Sequence, residues 1–279
     1  VYYDSLYAEA IDEWWVYELY SDTLLTYLCE NPGCMDPSAD NYDPYAIEND
    51  GSCVYSNGSP VCDFLTATYF DGYTYDLVAI GDQCWFAENL RTEHYANGDA
   101  IPGELSNSEW SNAGYTYLGA QAVYNNDVSN LADYGRLYNW FAVDDSRGLC
   151  PSGWHVPTDG EFMTLEMELG MSESEANDGG WRGTNEGAQM KSTYGWAYNE
   201  QYWGDGNGTN TSGFSGSAGG SRHWSDGTFT SLYYSGSFWS ASSDAAGEGF
   251  YRRLESSSVS VFRYDAIPQS GYSVRCVRD

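Results

Sequence analysis

The sequence predicts an α+β fold: irregular antiparallel sheet, few short helices and long loops rich in Gly, Ser and Trp. Three observations lead there. Hydrophobic residues make up 42% and aromatics 17% of the 279 residues, enough apolar surface for a core despite 41 acids. Short β-favouring runs recur between tight turns, at residues 70–85, 250–254, 259–264 and 272–277. A helix start is written at Thr158-Asp159-Gly160-Glu161, where an N-cap residue precedes Phe162, Leu165 and Leu169 at helical spacing; the helix is expected to end near Gly170.

Residues 1–30 read as an aromatic arm. Leu6, Ala10, Trp14, Tyr17, Leu24, Leu25 and Leu28 recur near helical spacing, with Glu9, Asp12, Glu13 and Glu18 between them. Trp14-Trp15-Val16-Tyr17 favours a strand instead, so a helix and an extended arm both stay open. A segment this apolar has too much surface to float freely. It packs back on its own domain, or it docks on a neighbouring subunit as an added strand or a helix in a groove. Trp14, Trp15, Tyr17, Leu24 and Leu25 are the candidate assembly residues.

Residues 31–56 form an acidic, cysteine-bounded module. Asp36, Asp40, Asn41, Asp43 and Asp50, set among Gly and Pro, supply hard oxygen ligands on a tight backbone, as Ca2+ requires. The competing reading is a spacer rich in Asx turns, stapled by Cys34 and Cys53. Ser56-Asn57-Gly58-Ser59-Pro60 is a linker, and residues 60–279 make the main domain. There, Asp71-Gly72 and Gly81-Asp82 turn short strands, and Cys62 and Cys84 flank the meander in position to close it.

The centre of the main domain is a rigid crossing. Gly135 opens an aromatic run to Trp140, and Cys150 sits beside Pro151 and Gly153, ahead of Trp154. A bridge from Cys150 to Cys276 would tie this crossing to the last strand, although spacing alone does not fix connectivity. Residues 171–249 are dominated by Gly, Ser, Asn and Trp with few helix formers, which predicts long loops ordered by aromatic packing, hydrogen bonds or ions.

Six blocks fall in an order that resembles the Fibrobacter succinogenes major paralogous domain: Asp71-Gly72-Tyr73-Thr74-Tyr75, residues 80–90 around Cys84-Trp85-Phe86-Ala87-Glu88-Asn89-Leu90, Gly135-Arg136-Leu137-Tyr138-Asn139-Trp140, Cys150-Pro151-Ser152-Gly153-Trp154-His155-Val156-Pro157, Phe238-Trp239-Ser240 and Ser273-Val274-Arg275-Cys276-Val277. That family is similar to the C-type-lectin-like fold and to the formylglycine-generating-enzyme domain. The resemblance implies such a fold and an exported bacterial protein, and it says little of activity. The acidic module is similar to a cysteine-bounded Asn-Tyr-Asp-Pro repeat of exported Bacteroidetes proteins, akin to calcium-binding thrombospondin-type repeats. Here Asp40 stands where that repeat often has a cysteine, which makes Cys29 a substitute partner.

Charge and chemistry narrow the function. A formal charge of −30, with Lys191 the single lysine, argues against nucleic acid, whose phosphates need a basic face. Seven cysteines point to disulfides and an oxidising compartment, and no Cys-x-x-Cys or Cys/His cluster suggests zinc. The chain starts at Val1, as expected of a mature form, and no apolar run nears the roughly 20 residues of a membrane span. Neither a Gly-x-Ser-x-Gly elbow nor a P-loop is present, and His155 reads as structural. The expectation is therefore an exported bacterial surface protein, structural or adhesive and not an enzyme, that assembles with itself into a filament or matrix through the arm. The alternative is a glycan-binding module that stacks sugars on loop aromatics such as Trp203 and Trp224.

Overall fold

Two units divide the chain, Val1–Pro60 and Val61–Asp279. The computed structural model describes residues 32–35, 41–49, 62, 68–198 and 206–279. The arm residues Trp14, Trp15, Tyr17, Leu24 and Leu25, the ligand candidates Asp36, Asp40 and Asp50, and Cys29, Cys53 and Trp203 lie outside the described residues. In the first unit, β1 (Pro32–Gly33) pairs in parallel with β2 (Glu48–Asn49). Between them the Asp43 amide donates to the Cys34 carbonyl at 2.8 Å, and the Asp43 carboxylate accepts from the Tyr45 amide at 2.8 Å. Cys34 is buried and disulfide-bonded.

The second unit opens with two hairpins set by their turns. β3 (Thr68–Phe70) and β4 (Tyr73–Tyr75) pair around Asp71-Gly72, whose φ values of 46° and 86° suit Asp-Gly and few other pairs. β5 (Leu77–Ile80) and β6 (Gln83–Phe86) pair around Gly81-Asp82. Then come α1 (Asn107–Tyr115), β7 (Gln121–Ala122), α2 (Leu131–Tyr134), β8 (Leu137–Tyr138) and α3 (Trp140–Val143). β9 (Trp154–His155) leads into α4 (Asp159–Glu168). The predicted start of α4 is observed: Thr158 Oγ1 accepts from the Glu161 amide and the Glu161 carboxylate accepts from the Thr158 amide at 2.7 Å, a reciprocal capping box.

The stretch expected to be long loops keeps loop at the described residues 191–198 and 206–218, and on either side of it forms short helices and strands. It holds α5 (Glu173–Asn177), β10 (Gly180–Arg182), α6 (Glu186–Met190), β11 (Gly219–Arg222), β12 (Phe229–Leu232) and β13 (Ser235–Ser243). With β14 (Gly249–Glu255) and β15 (Val261–Ala266) these strands form a six-stranded sheet ordered β10-β15-β14-β13-β11-β12, mostly antiparallel. β16 (Val277–Arg278) closes the chain inside a four-stranded sheet, β5-β6-β16-β9. Residues 272–277 are thus not one strand. Tyr272 and Ser273 make isolated bridges to Tyr138 and Phe238, and Val277 then pairs with Trp85 and His155, because the segment crosses from one sheet to the other.

Side-chain alternation on two strands separates two cores. Cys84 and Phe86 on β6 and Trp239 on β13 face a cluster with Tyr75, Trp140, Trp154 and Val274. Trp85 on β6 and Phe238 on β13 face a second cluster with Phe162, Leu165, Phe214 and Leu254. Disulfides Cys62–Cys84 and Cys150–Cys276 lie at the first core, the second closing a separation of 126 residues. Beside the second core, buried Glu166 on α4 pairs with Arg182 and Arg252, and Asp159 pairs with Arg252 at 2.6 Å and Arg263 at 2.7 Å. Lys191 is also structural: its buried ammonium donates to the carbonyls of Gly206, Glu255 and Ser258 at 2.8–2.9 Å.

Candidate ligand-binding cleft

Three of the six family-like blocks meet beneath one cleft of about 360 Å³ in the second unit. Its floor is Arg275, which is fully buried yet faces no carboxylate within bonding distance among the described residues. Its guanidinium donates to Asn89 Oδ1 at 2.8 Å and to the carbonyls of Phe86, Phe214 and Ser215, and lies 4.4 Å over the Phe214 ring. Burial pushes its pKa down. Asn89 completes the floor, its amide nitrogen donating to the Tyr134 carbonyl at 2.9 Å and to Ser217 and Ser273 at 3.1 Å. The chain turns over Asn89 at Gly135, where φ is 68° and an added Cβ would lie 2.7 Å from Asn89 Cβ. Only glycine fits both the backbone and the space there.

The floor presents a wall of tyrosines. Tyr134 ends α2 and lines the cleft, its ring edge-on to Tyr233 at 6.2 Å. Burial, then the neighbouring Tyr233 and Asp133, push the Tyr134 hydroxyl up to about 12, so it stays protonated. Tyr194 and Gly195 continue the wall, and past Gly195 an open hollow is lined by Trp196, Ala197, Tyr233 and Tyr234. Trp196 is buried as the backing of that hollow, its indole donating to Ser192 Oγ at 3.0 Å, whereas Tyr194, Tyr233 and Tyr234 are exposed.

The backbone holds these rings in place. Tyr233 sits at φ 67°, a left-handed conformation that bulky side chains rarely adopt. Three hydrogen bonds enforce it: the Tyr233 amide to the Ala218 carbonyl at 2.9 Å, the Ala197 amide to the Tyr233 carbonyl at 2.7 Å, and the Ser256 amide to the Tyr234 carbonyl at 2.9 Å. Strain held by surrounding structure concentrates where a site is pre-organised.

Charged groups line the cleft as well. Arg91 is ion-paired with Glu88, donates to the Ala132 carbonyl at 2.9 Å and lies 5.5 Å over the Tyr73 ring. Asp76 and Asp133 also line the cleft, and both are exposed.

Among the described residues, none of the sequence-predicted glycan or calcium candidates lines this cleft. Trp224 stands at the tip of the β11–β12 hairpin, its ring 5.7 Å from that of His223. Tyr233 follows the opposite end, where Gly219 pairs with Leu232, roughly 10 Å away at about 3.3 Å per residue. Of the calcium candidates, Asn41 and Asp43 are described, and the Asp43 carboxylate forms the Asx turn given above. Among the described residues, no group of three or more His, Cys, Asp or Glu side chains is placed to hold a metal ion. The histidines lie outside the cleft lining: His94 on Asp71 at 2.9 Å, His223 on Asp226 at 3.2 Å, and His155 between Asp279 at 2.7 Å and Glu161 at 2.8 Å. Partial burial pulls the His155 imidazole down, but the Asp279 and Glu161 carboxylates outweigh it and raise its pKa above 6.5. Tyr134, Tyr194, Asp76 and Asp133 were not anticipated as a site, because they come from segments far apart in sequence and share no local motif.

Fold and site together define a disulfide-stapled α+β domain with a polar-floored, tyrosine-walled cleft. The chain belongs to the Fibrobacter succinogenes major domain family, whose sequence model matches residues 78–278. No curated protein and no solved structure matches it. The disulfides suit an oxidising compartment, and no helix among the described residues is long and apolar enough to cross a membrane.

Proposed function

We propose that this chain is the glycan-binding module of an exported bacterial surface protein, and that it binds rather than transforms its ligand. The observation that carries this reading is the cleft, which joins exposed tyrosine rings to free carboxylates at its rim. Tyrosine gives a large, rigid, amphipathic contact at low conformational cost, and its ring face complements the CH face of a sugar. A formylglycine-generating type of enzyme would need a free Cys276, and that sulfur is bonded to Cys150. A glycan array probed with the wild-type chain and with Tyr194→Ala tests the reading. Saturable signals that fall in the variant support it; a blank array, or signals indifferent to the variant, would sink it.

Self-assembly through residues 1–30 is a second reading, supported by the sequence of the arm, and calcium in residues 31–56 belongs with it. Electron microscopy of the native protein with and without a chelator separates them. Filaments that loosen on chelation support both, filaments indifferent to it support assembly alone, and uniform single particles under both conditions count against assembly.

A further inference from the structure

We infer that the cleft selects uncharged sugars with vicinal hydroxyls and rejects uronate, sialylated and sulfated ones, with Asp133 accepting the sugar hydroxyls; this rests on the glycan-binding reading. The cleft holds two cations, and neither is available to an anionic ligand. Glu88 already neutralises Arg91, and Arg275 is fully buried with its donors turned to Asn89, Phe86, Phe214 and Ser215. The carboxylates are placed the opposite way. Asp76 and Asp133 are exposed at the cleft, and neither carboxylate has a hydrogen-bond or ion-pair partner among the described residues.

A carboxylate or sulfate entering this cleft would be stripped of water beside the exposed Asp76 and Asp133 carboxylates, where three acids outnumber two arginines, in a chain of formal charge −30. A neutral pyranose meets no such cost. Its CH face has Tyr194, Tyr233 and Tyr234 to lie on, and its adjacent hydroxyls can donate to a carboxylate, a bond roughly twice as strong as one between neutral groups. Asp133 is the better placed acceptor. It sits one residue before Tyr134, on the wall that continues to Tyr233, while the Asp76 amide donates to Glu88 Oε1 at 3.5 Å, beside a second carboxylate.

The test is calorimetric titration of the full chain with a neutral gluco-oligosaccharide and with the uronate oligosaccharide of the same linkage and length. The neutral sugar is expected to bind at least about tenfold more tightly, and Asp133→Asn to weaken it by about tenfold, the effect of losing one charged acceptor. Asp133 is exposed, so the variant is expected to fold, which thermal melting checks directly. Uronate binding as tight as neutral binding would overturn the selectivity while leaving glycan binding intact. Neutral binding unchanged in Asp133→Asn would remove Asp133 from the site. Absence of binding to either sugar, together with a blank array, would overturn the glycan reading and this inference with it.

Discussion

Gly135 and Glu166 show how single residues hold this molecule together. Gly135 carries a left-handed φ directly against Asn89, and Asn89 in turn anchors Arg275 under the cleft. Gly135→Ala is predicted to cost at least about 2 kcal/mol, from the left-handed penalty and the clash together, read as a lower denaturant midpoint. Glu166 is the shared acceptor of Arg182 and Arg252, all three buried. Glu166→Gln leaves those guanidinium groups short of negative charge and is predicted to destabilise by about 3–5 kcal/mol, which the same unfolding experiment measures. Gly135 stands out in the sequence as the start of an aromatic run, whereas Glu166 is one acid among 41. Their importance comes from what the fold brings beside them.

At the scale of elements, legibility follows local chemistry. The start of α4 was readable because Thr158 and Glu161 are both written into a capping box, and Thr158→Ala is predicted to cost about 1 kcal/mol in thermal or chemical unfolding. The Asp71-Gly72 hairpin was readable for the same reason, since its turn demands those residue types. β13 was not. It is rich in Ser and Gly because neighbours press close: a Cβ on Gly236 would lie 2.2 Å from the Ser217 carbonyl, so aliphatic side chains that would signal a strand do not fit. Asp159 on α4 and His155 on β9 carry opposite pH responses. Burial tends to raise the Asp159 pKa, but Arg263 and Arg252 outweigh it and hold it below 3.8. Its stabilisation is therefore present above that value and lost as pH falls through the folded pKa. His155, raised above 6.5 by Asp279 and Glu161, stabilises fully below 6.5 and loses that contribution as pH rises through its folded pKa. Melting temperature is predicted to decline gently above neutrality, and His155→Gln to flatten that decline; an unchanged slope in the variant would contradict the assignment.

For the whole molecule, the family-like blocks report architecture more than chemistry. Asn89, Gly135 and Arg275 belong to three of them and meet beneath the cleft, while Cys150 and Cys276, from the fourth block and the last, close the chain. Replacing both members of that pair by Ala is predicted to cost about 2–5 kcal/mol, since the bond spans 126 residues. The cleft wall was less legible. Tyr134, Tyr194 and Tyr233 lie some forty to sixty residues apart, and only tertiary structure makes them neighbours. The most direct test of the central claim is hydrogen–deuterium exchange of the chain with and without a saturating neutral oligosaccharide. The account predicts protection concentrated at residues 132–135, 192–197 and 231–235. Protection confined to other segments, such as the hairpin tip that carries Trp224, would contradict it.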